Sequence, residues 1–103
     1  RLKKFAAVEN GWTTVPAPLM RLDSLEELIL NYNPIASLPS GIGRLKRLKA
    51  LRLCVMHLTG LPPEIAACDS LEELDIYRNG IKTLSPQFCR MPNLKYFSFG
   101  SNR

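Results

Sequence analysis

The chain is poor in the residues that usually carry chemistry. It has one histidine, His57, and three cysteines, Cys54, Cys68 and Cys89. An odd number of cysteines without paired spacing builds no disulfide framework, so a reducing, cytoplasmic (intracellular) setting is expected. His57 follows Cys54 by three residues, but a Cys–His nucleophile also needs mutual reach and a third group to orient it. Two such ligands are too few for a zinc site. Gly41 and Gly43, in "PSGIG", lack the preceding strand and following Lys-Ser or Lys-Thr of a phosphate-cradling loop. No catalytic residue, metal or cofactor is therefore expected, and the chain reads as a non-enzyme.

Long apolar runs are also missing, so no membrane span fits. The run Phe5 to Val8 is too short for a secretory signal core. The first residue is Arg rather than Met, which reads as a fragment or a processed product. What remains is an ordinary globular mix: 103 residues, 46% hydrophobic and 22% charged, with a net charge of +5. That length allows one domain or a piece of one. The basic balance permits nucleic acid or anionic lipid as partners, but the placement of charge matters more than its sum.

An internal repeat organises the whole sequence. Leu2, Leu25, Leu48, Leu71 and Leu94 are spaced 23 residues apart. The same step relates Phe5, Leu28, Leu51, Leu74 and Phe97, and again Ala7, Leu30, Leu53, Ile76 and Phe99. It relates Asn10, Asn33, Met56, Asn79 and Asn102, with Met56 breaking the series. Trp12, Ile35, Leu58 and Ile81 follow, then Val15, Leu38, Leu61 and Leu84. Proline comes next in three units (Pro16, Pro39, Pro62) and Ser85 in the fourth. Leu19, Ile42, Ile65 and Phe88, then Leu22, Leu45, Cys68 and Met91, close each unit. The units are 2–24, 25–47, 48–70 and 71–93, with a partial fifth at 94–103, all in one segment 1–103.

Around Leu-x-Leu the pattern alternates apolar and polar, the mark of a half-buried strand. The later apolar residues recur at spacings of three and four, interrupted by Pro and Gly, which suits a 3₁₀ or irregular return path. One coil cannot bury its inner side alone, whereas stacked coils share a core and align their strands as a parallel sheet. At about 4.8 Å per strand the stack is only about 20 Å long. The asparagine follows the strand where the chain turns inward, and its amide offers donors and an acceptor to buried backbone. Met56 offers neither. Backbone groups left unpaired there cost on the order of 1–3 kcal/mol unless water or a local backbone shift compensates.

These residues resemble the leucine-rich repeat family in its 23-residue intracellular class, which "LEELILNYNPIASLPSGIGRLKR" fits throughout. The departures are Met56, Ser85, Cys68 and Ala7. The resemblance implies an α/β solenoid with a parallel sheet on the concave face and 3₁₀ or irregular segments on the convex face. It also implies a protein-binding role, often as one segment of a longer signalling scaffold, immune receptor or enzyme.

Strand side chains that avoid the core face the concave side. They form four columns: Lys4, Glu27, Ala50, Glu73, Tyr96; Ala6, Ile29, Arg52, Asp75, Ser98; Val8, Asn31, Cys54, Tyr77, Gly100; and Glu9, Tyr32, Val55, Arg78, Ser101. Tyrosine at wet positions suits an interface. The candidate partner-binding residues are Glu27, Ile29, Asn31, Tyr32, Arg52, Cys54, Glu73, Asp75, Tyr77, Arg78, Tyr96 and Ser98. Arg52 is expected among Glu27, Glu73 and Asp75. The columns have aromatics but a slightly negative charge balance, which argues against a nucleic-acid groove.

The positive excess lies on the flank that leads into each strand. There Asp23 and Glu26 precede Lys46, Arg47 and Lys49, then Asp69 and Glu72, then Lys95, so cross-coil ion pairs are expected. The acidic pairs Glu26-Glu27 and Glu72-Glu73 recur with the repeat and read as architecture rather than catalysis. The expected function is a non-catalytic module holding a protein or peptide on its concave face. The rivals are the recruiting segment of a multidomain enzyme and a nucleic-acid or anionic-lipid site on Arg44, Lys46, Arg47 and Lys49. Neither end shows a recognisable cap, so end-to-end self-association is a further expectation.

Overall fold

The computed structural model describes residues 2–84, 91–100 and 102. Expectations about Ser85, Phe88, Cys89 and Ser101 fall outside these residues. Five three-residue strands, β1 Lys4–Ala6, β2 Glu27–Ile29, β3 Ala50–Arg52, β4 Glu73–Asp75 and β5 Tyr96–Ser98, form one parallel sheet in chain order. The register matches residues one repeat apart: Lys4 lies beside Glu27, Glu27 beside Ala50, Ala50 beside Glu73 and Glu73 beside Tyr96. Three 3₁₀ turns return the chain: η1 Ala17–Arg21, η2 Ser40–Arg44 and η3 Pro63–Ala67. Each is preceded by proline (Pro16, Pro39, Pro62), whose fixed φ holds the approach to the turn extended. The protein measures 36 × 32 × 20 Å, and its shortest extent agrees with a five-strand stack.

The repeated apolar positions fill the interior. Leu28, Leu51 and Leu74, Leu30, Leu53 and Ile76, and Ile35, Leu58 and Ile81 are all buried and belong to one continuous core. Burying each such side chain stabilises by about 1.5–3 kcal/mol before entropy is subtracted. Two core-series residues depart from the rule. Leu2 is 47% exposed and Phe97 41%, because each lies in an outer coil with a neighbour on one side only. Phe97 stacks on Phe99 at 5.8 Å, and Phe5 on Trp12 at 6.1 Å, so the large side chains of the outer coils shield one another.

Two turns approach so closely that side-chain size decides the packing. A Cβ at Gly43 in η2 would stand 2.8 Å from the Glu64 carbonyl oxygen in η3. Gly43→Ala must push the two turns apart, and overpacking of this kind costs about 1–2 kcal/mol. A fall in the urea midpoint with unchanged slope is the expected result. An unchanged midpoint would show that the turns slide freely.

The asparagines tie each coil to the one before. The Asn33 carboxamide oxygen accepts from the N–H groups of Asn10 (3.0 Å) and Trp12 (3.1 Å), while its Nδ2 donates to the carbonyls of Ala7 (2.6 Å) and Leu30 (3.0 Å). Asn79 repeats this geometry two coils on, and Asn102 supports Ile81 and Ile76. At Met56 the backbone compensates. An amide there would serve the N–H groups of Asn33 and Ile35, and Ile35 N–H turns instead to the Asn33 carbonyl at 2.8 Å. Separately, the Asn31 side chain accepts from Cys54 N–H at 2.8 Å across the neighbouring coil. Asn31, expected to face a partner, is therefore also a structural tie.

The fourth column has a property absent from the sequence reading. Glu9, Tyr32, Val55 and Arg78 all have positive φ, between 55° and 62°. This left-handed kink turns the chain out of each strand. It is costliest for Val55, whose branched Cβ crowds the backbone there. Val55→Asn is expected to raise stability by about 1 kcal/mol, visible as a melting temperature higher by roughly 4–8 °C. A lower melting temperature would mean that the valine side chain contributes more through packing than it costs in strain.

Candidate functional site

The concave columns stand where the 23-residue step places them. Tyr32, Tyr77 and Tyr96 are exposed, while Ile29, Asn31, Cys54 and Arg52 are half-buried. Ala50 is the exception: it lies in the first column but is buried, a short side chain between Glu27 and Glu73.

A line of charge crosses four strands. Lys4 Nζ lies 3.8 Å from Glu27, Arg52 Nε lies 3.5 Å from Glu27, and Arg52 Nη2 donates to Glu73 at 2.7 Å. The Glu73 hydrogen bond, reinforced by the charge of Glu27, holds the guanidinium above its ordinary range despite partial desolvation. The pairs are solvent-accessible and contribute little net stability, but they fix the direction of Arg52. Lys4 was not among the expected site residues. Its place directly opposite Glu27 was the signal that could have found it.

Asp75 stands beside Arg52 in register, as expected, but forms no ion pair with it: among the described residues Arg52 pairs only with Glu27 and Glu73. Asp75 instead accepts from Tyr77 N–H at 3.3 Å and from the Cys54 thiol. Desolvation, then the bond to Asp75, pushes that thiol up to about 12, so Cys54 is a protonated donor and a poor nucleophile. The Tyr77 ring lies over the backbone of Gly100, where a Cβ would meet it at 3.1 Å, and the Arg78 guanidinium sits 5.9 Å from the ring centroid.

These placements leave a hollow of about 470 Å³ at the β3–β5 end, lined by Arg52, Glu73, Leu74, Asp75, Tyr96, Phe97 and Ser98. Five of the expected residues meet there: Arg52, Glu73, Asp75, Tyr96 and Ser98. Glu27, Ile29, Asn31, Tyr32, Cys54, Tyr77 and Arg78 lie outside that lining. Leu74 and Phe97, whose side chains belong to the core series, also border the hollow between these residues.

The basic flank differs from expectation. Among the described residues no ion pair joins its coils. Lys46 instead donates to the carbonyl of Ala67, at the end of η3, at 2.9 Å. A backbone carbonyl at the end of a turn is a fixed acceptor, whereas two long exposed side chains must both lose rotamer freedom to pair. Arg44, Lys46 and Arg47 line a smaller hollow of about 360 Å³ with Asp23 and Ser24. Among the described residues no group of three His, Cys, Asp or Glu is placed to hold a metal, and no helix is long and apolar enough to cross a membrane.

Comparison with known proteins agrees with this architecture. The Leucine Rich Repeat family model matches residues 24–45 and 70–91, two repeat periods apart. A leucine-rich repeat and calponin homology domain-containing protein of Drosophila melanogaster is 42% identical over 57 residues, 54% of this chain and 7% of that protein. The chain thus spans a small part of that relative's length. Among solved structures, a leucine-rich repeat protein of Leptospira interrogans superimposes with a TM-score of 0.87 at 25% identity, over 99% of this chain and 32% of that one. A plant peptide hormone receptor, RGFR1, in complex with RGF2, gives 0.88 at 24% identity over 98% of this chain and 17% of the receptor. The leucine-rich repeat domain of the type III effector XopL gives 0.68 at 21% identity over 96% of this chain and 44% of that one. One strand per coil, stacked in parallel at a 23-residue step with 3₁₀ returns, agrees with both matched repeats and with these solved folds, and the chain is a leucine-rich repeat segment.

Proposed function

We propose that the chain is a non-catalytic docking module that holds a protein or peptide against its concave strand face. The observation that carries this reading is the hollow between β3 and β5, where an oriented arginine, two carboxylates and an exposed tyrosine converge on a rigid sheet. Anchors of these types, presented without conformational cost, are what interfaces use. The plant receptor offers a parallel in fold, since its structure holds RGF2. In the Drosophila relative such repeats share a chain with a calponin homology domain, which supports a recruiting segment within a larger signalling or scaffold protein. The free thiols of Cys54 and Cys68 suit an intracellular setting.

Replacing Arg52, Asp75 and Tyr77 together by alanine is expected to abolish partner capture in affinity purification while the circular dichroism spectrum stays that of the parent. Capture undiminished by the triple substitution would refute the concave-face reading. The basic flank around Arg44, Lys46 and Arg47 is the competing surface. Its use for nucleic acid or anionic lipid predicts affinity that falls steeply with salt, and a flat response removes it.

A further inference from the structure

The hollow also has a chemistry that specifies its occupant, if the concave face is the docking face proposed above. Its ionisable lining is two carboxylates, Glu73 and Asp75, against one guanidinium, Arg52. That guanidinium is already committed to Glu27 and Glu73 on either side. Asp75 carries no ion pair among the described residues; its carboxylate holds only the Tyr77 N–H and the Cys54 thiol. The unmatched charge in the hollow is therefore negative, in a protein whose total is +5.

The aromatic wall adds a second requirement. Tyr77 is occupied by Arg78, whose guanidinium stands 5.9 Å from its ring. Tyr96 is 68% exposed. It pairs in register with Glu73, so it stands one strand across and two residues along from Asp75, a diagonal of about 8 Å from the strand spacing and rise. A cation bound to a carboxylate at roughly 3 Å and lying over a ring within about 6 Å of its centroid bridges that gap. An anionic side chain would meet Asp75 and Glu73, and a purely apolar one would strand Asp75 without water.

We propose that this hollow receives a lysine or arginine side chain of an extended peptide segment, its charge on Asp75 and Glu73 and its stem against Tyr96. Selectivity follows from the rest of the surface. A basic segment is repelled by the protein's overall positive charge and accepted where that charge is locally reversed, so the hollow discriminates more sharply than the same carboxylates would on an acidic protein.

The test is to pan a displayed library of random dodecapeptides against the full 103-residue chain and its Asp75→Asn, Tyr96→Ala and Lys46→Ala variants. Asparagine keeps the size and the hydrogen bond to Tyr77 but removes the charge. The expected result is enrichment of peptides with lysine or arginine whose affinity falls roughly tenfold or more in Asp75→Asn, also falls in Tyr96→Ala, and is unmoved by Lys46→Ala. Enriched acidic or apolar peptides that are lost in the Arg52, Asp75 and Tyr77 triple variant would overturn the basic-ligand assignment and leave concave docking standing. Enriched peptides indifferent to every concave substitution, or no enrichment, would overturn both.

Discussion

Asn79→Ala is expected to remove about 3–5 kcal/mol of stability, a large share of the roughly 5–15 kcal/mol that a domain of this size has in total. The Asn79 oxygen accepts from Met56 N–H and Leu58 N–H, both at 3.2 Å, and its Nδ2 donates to the carbonyls of Leu53 (2.8 Å) and Ile76 (2.9 Å). Ile76 keeps a second donor in Asn102 at 2.9 Å, so alanine leaves three groups without these partners. The position is 7% exposed, which leaves little room for replacement water. At about 1–3 kcal/mol per unpaired buried group, three groups cost at least about 3 kcal/mol, and local relaxation holds the loss to the lower part of the range. Urea unfolding followed by tryptophan fluorescence measures it. A loss below about 1 kcal/mol would show that the coils are joined by apolar stacking alone and that the amides are incidental.

That prediction also shows how far the sequence could be read. The 23-residue step gives the strand register directly, because identical coils in a parallel stack place equivalent residues side by side; Lys4, Glu27, Ala50, Glu73 and Tyr96 form a row for that reason. The buried leucines follow from the same step. The period does not encode the direction of a long side chain. Arg52 reaches sideways to two glutamates and passes over Asp75, and Tyr77 lies on Gly100 rather than lining the hollow, because rotamers answer to neighbours on both adjacent strands. Nor does it encode backbone rescue. Position 56 predicts a missing amide, but that Ile35 turns to the Asn33 carbonyl depends on local dihedrals no residue letter states. The left-handed column was hidden for a related reason: Glu, Tyr, Val and Arg share no preference for positive φ, so tertiary stacking imposes it. Lys46 illustrates the limit of charge alternation, since its ammonium goes to a backbone carbonyl at the end of a turn.

Cys68 gives the solenoid a sensitivity to alkali. It occupies the core position held by Leu22 and Leu45 in earlier coils, is 1% exposed, and donates its thiol to the Ile42 carbonyl at 3.2 Å. Burial pushes the thiol up to about 11 from an ordinary 9.0, partly offset by the nearby charge of Lys46. A raised thiol means the folded state resists losing the proton and the unfolded chain loses it first. The contribution is complete below about pH 9 and is lost as pH climbs towards 11, because ionisation then favours the unfolded chain. The two-unit difference corresponds to about 2–3 kcal/mol. Cys54, pushed to about 12 but half-exposed, extends the window upward with less effect per unit. Urea midpoints of the parent and Cys68→Leu compared at pH 8, 9, 10 and 11 isolate the effect, since the two proteins differ at this thiol alone. The leucine variant is expected to gain on the parent by about 2–3 kcal/mol across that range. Parallel curves would mean that the thiol ionises as easily inside the coil as outside it, and that water reaches a position the packing seals.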